Sequence, residues 1–378
     1  MLGLSEEQEM ILETVRDLVN EKIKPRAQHY DNTGDFPYDN INDLADVGII
    51  GMTVQEKYGG FGSDQLTYSA VIEEIARGCA ATATTVAGTN SLAVLPIQDW
   101  GSEELKQKFL PVLGENTKLG SFALSEPQAG SDVAALKTRA EKEGDEYIIN
   151  GSKIYITNAI VADLHIVFAR SLPDPGYKGL SAFVVPANVD GVHVLPKEKK
   201  LGIVASPTSA MTFEEVRIPV ENLIGEEGQG FKIALSTLNS GRIAVAAQSV
   251  GIAQAALVDG VKFAKQREQF NQSISKFQSI QMMLADMSTQ TLSARLMYYH
   301  AAKLKDSGKS YIKEAAMAKL FASEAATLVS HKSIQIHGGS GFLKDFEVER
   351  YYRDARITEI YEGTSEIMRM IIAKEELR

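Results

Sequence analysis

Hydrophobic residues near the start of the chain recur at helical spacing. Ser5 and Gln8 match a capping box, and the apolar positions that follow fall on one helical face. Pro25 is predicted to end this helix, because proline disrupts a helix interior. Helical periodicity then resumes and, apart from a glycine-rich turn at 57–64, continues across the rest of residues 1–118. That stretch is predicted to form a helical N-terminal domain.

The pattern changes to strand-like alternation after this helical stretch. Asn150 and Gly151 stand between two runs rich in β-branched and aromatic residues, which is the strongest short signal for a β-hairpin turn. Further strand-like runs follow, so residues 119–228 are predicted to form a β-domain. Helical periodicity returns over residues 229–378 in long alanine-rich segments suited to a bundle. The predicted fold class is therefore α+β, in the order α, β, α.

Composition and charge narrow the class of protein. The chain has 378 residues, of which 44% are hydrophobic, which suits about two or three packed domains. Lys and Arg total 39 against 49 Asp and Glu, giving a net charge of −10, and no basic cluster could follow a phosphate backbone. A nucleic-acid partner is therefore not expected.

Cysteine usage and the N-terminal segment bear on location. Cys79 is the only cysteine in the sequence, which excludes an intrachain disulfide and fits a reducing compartment, so we predict an ordinary buried thiol. The first residues carry no basic segment leading into a long apolar run, so neither a signal peptide nor a transit peptide is expected, and the predicted location is cytoplasmic. No run of about 18 apolar residues occurs, so no membrane span is predicted.

Three short motifs could contribute to a ligand site, although each has an ordinary structural explanation. The stretch FALSEPQAGSD at 122–132 offers backbone N–H groups and hydroxyls to a phosphate or a planar ring, but taken alone it is better explained as a turn-rich loop. Asn239 and Arg242 lie three apart on one predicted helical face, where they could hold a polar ligand or simply face solvent. Gly338 and Gly339 end a predicted helix and suit either a C-cap or close approach to a flat ligand.

Two other kinds of site find no support in the sequence. The chain contains no G-x-G-x-x-G motif, so a Rossmann dinucleotide site is not predicted. His331 and His337 share no metal-ligand spacing with acidic residues, so no metal site is predicted.

Taken together, the order and spacing of the motifs resemble the acyl-CoA dehydrogenase family of flavoproteins. The resemblance covers nearly the whole chain and rests on the ordered set YGGFG, FALSEPQAGSD, NGSKIYITNA, GLSAFVVP, LGIVASPTSAMTFEEVRIPVENLIGEEGQGF, LNSGR, REQF, QIHGGSGF, RDARITEIYEGTSE and IAKEEL. It implies an N-terminal helical domain, a central β-barrel or β-sandwich domain and a C-terminal four-helix bundle. It also implies a homotetramer with FAD as the cofactor, bound between domains.

The resemblance assigns the FAD site to two sets of residues. Those of one subunit that match the family's FAD contacts are Phe122, Leu124, Ser125, Gly130, Ser131, Tyr155, Ile156, Thr157, Thr364 and Glu366. A neighbouring subunit would complete the site with a second set of residues, which consists of Arg267, Phe270, Gln278, Gln335, Gly338 and Gly339. Since the second set comes from another chain, FAD binding is expected to depend on assembly.

The resemblance also implies a reaction and its base. Glu362 of the YEGT motif would abstract the α-proton of an acyl-CoA thioester while the β-hydrogen leaves as hydride to flavin N5, which gives a trans-2-enoyl-CoA. A base that works near neutral pH needs a raised pKa, which burial would supply. The ordinary structural alternative for Glu362 is an acid at a helix N-terminus near Thr364. The residues that match substrate contacts are Ser131, Asn239, Arg242, Tyr361 and Gly363.

Position 241 distinguishes two branches of the family. Isovaleryl- and long-chain-specific members carry their base at the position that matches Gly241, so Glu362 is the consistent assignment here. Three residues depart from frequent family choices, since Tyr155 replaces a tryptophan, Val204 a basic residue and Asn239 an aspartate. Asn239 matches short-chain, branched-chain and glutaryl-type relatives, which leaves the substrate class open.

The expected substrate is a short-chain or short-branched acyl-CoA, as in butyryl-CoA dehydrogenases, and the expected acceptor is an electron-transfer flavoprotein. An acyl-CoA oxidase, which returns electrons to oxygen, is the alternative among enzymes. A flavin-carrying binding protein is the other alternative, although the family branch that binds DNA uses a basic surface that this acidic chain lacks. The stretch TTVAGTNSLAV, with Leu92 and Val94 among small residues, is expected to border a shallow acyl pocket.

Overall fold

The N-terminal part of the chain is helical in the computed structural model, which describes residues 3–114, 117–174 and 176–378. The Ser5 hydroxyl accepts from the Gln8 backbone N–H at 3.2 Å, so the predicted capping box is confirmed. Helices of this part are α1 (Glu6–Leu18), α2 (Lys24–Thr33), α3 (Tyr38–Asp46), α4 (Gln65–Gly78), α5 (Ala80–Ala87), α6 (Val94–Trp100) and α7 (Glu103–Gly114).

The prediction that Pro25 ends the first helix is wrong. The chain stays helical through a π-helical turn at Val19–Ile23 and continues into α2, where the proline lies in the first turn. The π-helical turn accommodates the proline, because the Lys24 N–H already donates to the Val19 carbonyl five residues back, and the regular hydrogen-bond pattern that a proline interrupts is shifted at this point. The helix ends instead at Gly34, whose φ of 71° is the left-handed conformation that glycine adopts without strain.

The central part forms one mixed sheet, in the order β6-β7-β3-β2-β4-β5-β8, with β1 parallel to β4. Its strands are β1 (Gly120–Ala123), β2 (Arg139–Glu143), β3 (Glu146–Thr157), β4 (Leu164–Arg170), β5 (Leu180–Pro186), β6 (Val192–Val194), β7 (Thr208–Pro219) and β8 (Leu223–Ile224). The segment after β1 meets the last residues of β3, because the Ile154 N–H donates to the Ser125 carbonyl at 2.9 Å, and both segments contribute to the site described below.

The predicted hairpin turn at Asn150 and Gly151 is wrong. Both residues lie inside β3, where the register shifts against β7, and the turn that joins β2 to β3 is formed at Gly144, with φ of 59°. A Cβ at Gly151 would lie 2.5 Å from Thr138 Oγ1, so glycine is needed there for close packing of neighbouring strands rather than for a turn. Asn-Gly favours a hairpin turn from the local sequence, but a glycine also suits a bulge within a strand, and strand pairing decides between them.

The two faces of the sheet belong to different cores. Along β4, Ile166 and Phe168 pack into one buried cluster, while Val167 and Ala169 pack into another, as the alternation of side chains in a strand requires. Val94 of α6 lies in the first cluster. Val94 is not among the residues that line the cavity described below, whereas Thr84, Ala87, Gly88 and Leu92 of the same predicted stretch do line it.

The C-terminal part is a bundle in which α8, α9 and α10 pack against one another and α11 and α12 pack on α10. Its elements are α8 (Gly230–Gln266), β9 (Glu268–Gln269), β10 (Gln272–Ser273), α9 (Gln278–Asp306), α10 (Ile312–His337), α11 (Val348–Ile357) and α12 (Ser365–Glu376). The predicted α+β fold, with helical outer parts and a central β part, is confirmed.

Helix α8 is long and apolar enough by length and composition alone to cross a membrane, but most of its apolar stretch is buried inside the protein. It packs along α4, α9 and α10, which makes it the central helix of the bundle. An ion pair between Glu73 of α4 and Arg295 of α9, 2.6 Å between Oε1 and Nη2, ties the N-terminal helices to the bundle. Cys79 is buried and its thiol is free, as predicted.

Candidate active site

A cavity of about 430 Å³ lies where the three parts of the chain meet. Its walls come from α5 and the turn after it, from the loops at one end of the sheet, from α8, and from the segment between α11 and α12. The predicted site residues that line it are Phe122, Leu124, Ser125, Gly130, Ser131, Tyr155, Ile156, Thr157, Arg242, Tyr361, Glu362, Gly363 and Thr364.

The remaining predicted site residues lie outside this cavity. Asn239 is buried, and its side-chain oxygen accepts from Arg242 Nη1 at 2.6 Å. Arg242 is buried as well, so the alternative explanation, in which the two residues face solvent, does not apply. Glu366 is exposed on α12. The set predicted to act from a neighbouring subunit is exposed on the surface of this chain and consists of Arg267, Phe270, Gln278, Gln335, Gly338 and Gly339.

Glu362 occupies a strained loop between α11 and α12. Its φ is 52° and that of Gly363 is 105°, so two successive residues lie in the left-handed region, which is unfavourable for a glutamate. The loop turns the carboxylate toward the cavity, where Oε2 is buried and has no hydrogen-bond partner. An unpartnered buried carboxylate oxygen is rarely a structural feature, because leaving such a group unsatisfied destabilises the fold.

The helix that follows is capped without Glu362. The Thr364 hydroxyl accepts from the Ile367 backbone N–H at 3.4 Å, so Thr364 is the N-cap of α12, as its position in the sequence predicted. The Glu362 side chain therefore does not act as a helix N-terminal cap. This observation removes the ordinary structural explanation for the acid.

Charges around Glu362 set its protonation. Burial raises the pKa of its carboxyl to about 7, while the positive charges of Arg242 and Lys319 oppose that rise. Arg242 Nε also donates to the Glu362 carbonyl oxygen at 3.4 Å, and Lys319 Nζ donates to the Gly363 carbonyl oxygen at 2.6 Å. The carboxyl is thus placed to gain or lose a proton near neutral pH.

Gly241 of α8 makes room for the carboxylate. A Cβ built at this position would lie 2.2 Å from Glu362 Oε2 and 3.2 Å from Leu92 Cδ2. Even the smallest side chain at 241 would therefore displace the carboxylate. A side chain at position 241 and the observed position of the Glu362 carboxylate are therefore mutually exclusive.

The loop at 124–131 is held by a buried ion pair. Glu126 Oε1 and Lys153 Nζ lie 2.8 Å apart, both side chains are excluded from solvent, and Lys153 also donates to the Leu124 carbonyl at 3.1 Å. Glu126 Oε2 in turn accepts from the Lys137 backbone N–H at 2.7 Å. Charge-assisted bonds of this kind fix a backbone that sequence alone assigned to an ordinary turn-rich loop.

The cavity residues fit a flat ring system. Tyr155 is 69% exposed beside the cavity and has φ of 59°, a strained backbone that aims an aromatic face toward the open space. A Cβ at Gly130 would meet nothing within 4 Å, so the backbone of the loop borders free volume. Apolar walls, an aromatic face and the hydroxyls of Ser131 and Thr157 together suit FAD.

Several cavity residues were missed by the sequence analysis. Leu235, Leu238, Val245 and Gln248 line the cavity from the same face of α8 as Arg242. Together with Arg242 they recur every three or four residues, so helical spacing counted from Arg242 toward both ends of the helix could have predicted them. The sequence analysis also missed Lys319, which contacts the loop beside Glu362 but does not line the cavity. No sequence signal distinguishes it from an ordinary surface lysine.

One part of the cavity wall is polar. The Tyr361 hydroxyl donates to the Gln248 side-chain oxygen, and Gln248 Nε2 donates to Thr84 Oγ1 at 2.8 Å. All three residues line the cavity, and Gln248 is buried. The chain of hydrogen bonds joins the loop before Glu362 to α8 and α5. An apolar chain entering the cavity would therefore meet a fixed polar wall.

A buried, unpaired carboxylate that faces an apolar cavity beside an aromatic ring is suited to removing a carbon-bound proton next to a flat cofactor. The fold and the site thus define the class of flavin-dependent oxidoreductases with a helical, β, helical architecture. Residues 5–116, 121–216 and 228–377 match, in that order, the N-terminal, middle and C-terminal domains of acyl-CoA dehydrogenase. The chain therefore belongs to the acyl-CoA dehydrogenase family, as its motifs predicted, and is an FAD-dependent enzyme of that family.

Known relatives are similar over their whole length. The mitochondrial short-chain specific acyl-CoA dehydrogenase of Rattus norvegicus is 48% identical over 375 residues, which are 99% of this chain and 91% of the rat protein. The structure of butyryl-CoA dehydrogenase from Megasphaera elsdenii superimposes with a TM-score of 0.97 at 44% identity, over 100% of this chain and 99% of that one. A chain solved in work on the electron transferring flavoprotein of Acidaminococcus fermentans has a TM-score of 0.98 at 44% identity, over the same shares.

Proposed function

We propose that this protein oxidises short-chain or short-branched acyl-CoA thioesters to trans-2-enoyl-CoA, with Glu362 as the base. The observation that carries the proposal is the Glu362 carboxylate, whose Oε2 is buried, unpartnered and directed into an apolar cavity. FAD, when bound, supplies the acceptor for the β-hydrogen. Phe122, Ser131, Tyr155 and Thr157 are the residues of this chain best placed to hold it.

The role of Glu362 follows from its surroundings. An α-proton of a thioester is weakly acidic, so the base must be positioned close to it and must be ionised when substrate arrives. A carboxyl with a pKa of about 7 is partly ionised at neutral pH and is a stronger base than an exposed glutamate. Apolar neighbours such as Leu92 and Val245 keep water away from the carboxylate, which preserves that basicity.

The polar wall supports a short acyl chain. Thr84, Gln248 and Tyr361 are hydrogen-bonded to one another, so displacing them would leave buried polar groups without partners. An apolar chain long enough to reach this network would have to break it, whereas a chain too short to reach it would not. The relatives from Rattus norvegicus and Megasphaera elsdenii, which are named for short-chain and butyryl-CoA activity, point the same way.

We expect efficiency to peak with acyl chains of about four to six carbons, because each methylene that enters an apolar pocket contributes about 0.8 kcal/mol until the pocket is full. Efficiency should fall more than about tenfold at about twelve carbons, a difference of about 1.4 kcal/mol. Anaerobic flavin reduction by butyryl-, isobutyryl-, hexanoyl-, octanoyl- and dodecanoyl-CoA measures this directly. A maximum at octanoyl-CoA or beyond would contradict the short-chain proposal, and no bleaching by any thioester would contradict the dehydrogenase reaction itself.

We further propose that the electrons pass to an electron-transfer flavoprotein. The structural similarity to a chain studied with the electron transferring flavoprotein of Acidaminococcus fermentans supports this partner. An oxidase would instead release hydrogen peroxide in step with substrate consumption in air. A flavin-carrying binding protein would bind acyl-CoA without bleaching the flavin. Peroxide assay and anaerobic titration therefore separate the three activities.

A homotetramer in which a neighbouring subunit completes the FAD site is also part of the proposal. Phe270 is 87% exposed in this chain and has φ of 53°, an exposed aromatic ring on a strained backbone that contact with another subunit would stabilise. Arg267 and Gln278 are exposed on either side of it in sequence. Their polar side chains are free to meet a cofactor held by a second copy.

Arg267→Ala is expected to lower the FAD content of the purified protein while leaving the fold intact, because the residue is exposed and packs in no core. Absorbance of bound flavin per chain, together with circular dichroism, measures both. Lys265→Ala is a matched control, since Lys265 is an exposed cation in the last turn of the same helix. Unchanged FAD content in Arg267→Ala, or an equal loss in Lys265→Ala, would contradict the cross-subunit assignment.

A further inference from the structure

Lys319 is a fully buried lysine in the middle of α10. Its side chain has no exposed surface, and the neighbouring positions Ala315, Ala316 and Ala322 are buried alanines. Burying an ammonium group is unfavourable unless other groups compensate its charge. Burial accordingly lowers the pKa of Lys319 to about 8. A lysine in this place therefore calls for an explanation beyond packing.

The ammonium group makes one close contact that explains its position. Lys319 Nζ donates to the Gly363 carbonyl oxygen at 2.6 Å. Within the described parts of the chain, no carboxylate oxygen lies within 4.0 Å of Nζ, so Lys319 forms no ion pair there. The negative charge that acts on it most strongly is that of Glu362, followed by the smaller effects of Glu359 and Glu366.

We propose that Lys319 is a positioning residue for Glu362, because its buried ammonium holds the strained loop through the Gly363 carbonyl and supplies positive charge that favours the carboxylate form. This inference rests on the proposed role of Glu362 as the base. It assigns Lys319 no contact with substrate or cofactor, since Lys319 does not line the cavity.

The backbone of the loop needs an external restraint. Two successive left-handed residues, Glu362 at φ 52° and Gly363 at φ 105°, persist only where the surroundings fix them. Two cations bind consecutive carbonyls of this loop, Arg242 at 3.4 Å and Lys319 at 2.6 Å. The Lys319 bond is the shorter of the two and comes from α10, whereas the Arg242 bond comes from α8. Removing it would leave the loop free to turn the carboxylate away from the cavity.

The charge of Lys319 also bears on Glu362. The titratable groups that face Glu362 are Arg242 from α8, Lys319 from α10, Tyr68 from α4 and the adjacent Tyr361. Burial raises the pKa of both tyrosines, so they stay neutral, and the two cations alone favour the ionised carboxylate. Removing one cation therefore raises the pKa of Glu362, and the base ionises only at higher pH.

Two variants separate the hydrogen bond from the charge. Lys319→Met removes both, whereas Lys319→Gln removes the charge but keeps a donor for the Gly363 carbonyl. Lys313→Met is the matched control, because Lys313 lies on the same helix but pairs with Glu376 on the surface, 3.3 Å between Nζ and Oε1. Circular dichroism and thermal unfolding establish that each purified holoenzyme is folded. If Lys319→Met does not fold, Lys319→Gln decides on the same criterion.

Infrared difference spectroscopy measures the result without turnover. The carboxyl band of Glu362 is isolated by subtracting the spectrum of the same protein with Glu362→Gln, and its intensity is followed against pH. We expect the midpoint to rise by about one pH unit or more in both Lys319 variants, the effect of one neighbouring charge, and to stay unchanged in Lys313→Met. An unchanged midpoint in folded Lys319→Gln, or an equal rise in Lys313→Met, would overturn the inference.

Kinetics at saturating acyl-CoA test the positioning effect. Above the shifted midpoint, we expect kcat to fall about tenfold or more in Lys319→Met, because a misplaced base is costly, while Lys319→Gln recovers most of that loss. Equal kcat for both variants and the parent enzyme would overturn the positioning role. The infrared midpoint could move in the Lys319 variants although Glu362→Gln keeps full activity. That combination would refute Glu362 as the base and would still support the effect of Lys319 on the Glu362 carboxyl.

Discussion

Glu362→Gln is expected to slow flavin reduction by acyl-CoA at least about 100-fold, the lower end of the contribution of a positioned base. Glutamine keeps the size of the side chain but cannot take a proton at neutral pH. Substrate binding should survive, because the amide occupies the same space next to Gly241 and Leu92. Anaerobic stopped-flow absorbance of the flavin gives the rate, and its dependence on substrate concentration gives the apparent affinity.

The pH dependence supplies a second readout for the same variant. The base must be ionised to act, so the wild-type reduction rate is expected to rise as pH increases through about 7, where the Glu362 carboxyl titrates. The residual rate of Glu362→Gln should lack that rise. Glu376→Gln serves as a control, because Glu376 is an exposed carboxylate on α12 that pairs with Lys313 at the surface. Normal reduction kinetics in Glu362→Gln would mean that another group is the base.

Gly241→Ala is expected to reduce the rate of flavin reduction by about 100-fold or more, although alanine favours a helix over glycine. The new Cβ would lie 2.2 Å from Glu362 Oε2, a distance that requires the carboxylate to move. The backbone of the central helix α8 is buried and packed on three other helices, so the side chain on the loop gives way instead. Stopped-flow reduction measures the loss, and thermal unfolding measures whether the fold is retained.

A glycine elsewhere on the same helix provides the comparison. At Gly260 an added Cβ would approach Ser333 Oγ no closer than 3.2 Å, far from the cavity residues. Gly260→Ala is therefore expected to keep a normal rate of flavin reduction. If Gly241→Ala reduces flavin as fast as Gly260→Ala does, the carboxylate does not occupy the place that the structure gives it, and the exclusion between positions 241 and 362 does not hold.

The sequence by itself determined the order of the architecture and indicated Glu362 as the candidate base. Apolar residues recur at helical spacing, then alternate as in strands, and then recur at helical spacing again. Because each spacing places the apolar residues on one face of the matching element, the α, β, α order follows from this local pattern. The capping residues Ser5 and Thr364 were also predictable, because a cap depends on a few neighbouring residues. Glu362 was predicted as the base because it lies within a motif whose place in the ordered set is specific to the family.

Only the tertiary structure decided what depends on contacts between distant segments. Asn150 and Gly151 lie within a strand rather than a turn because pairing with β7 and the close approach of Thr138 outweigh the local turn preference. Helical spacing places Gln248 on the same face as Arg242, but only the packing of α8 places that face at the cavity. Lys319 donates to a carbonyl that is 44 residues away in sequence. Such contacts join residues far apart in the chain, and no local pattern of hydrophobic and polar residues encodes their partners.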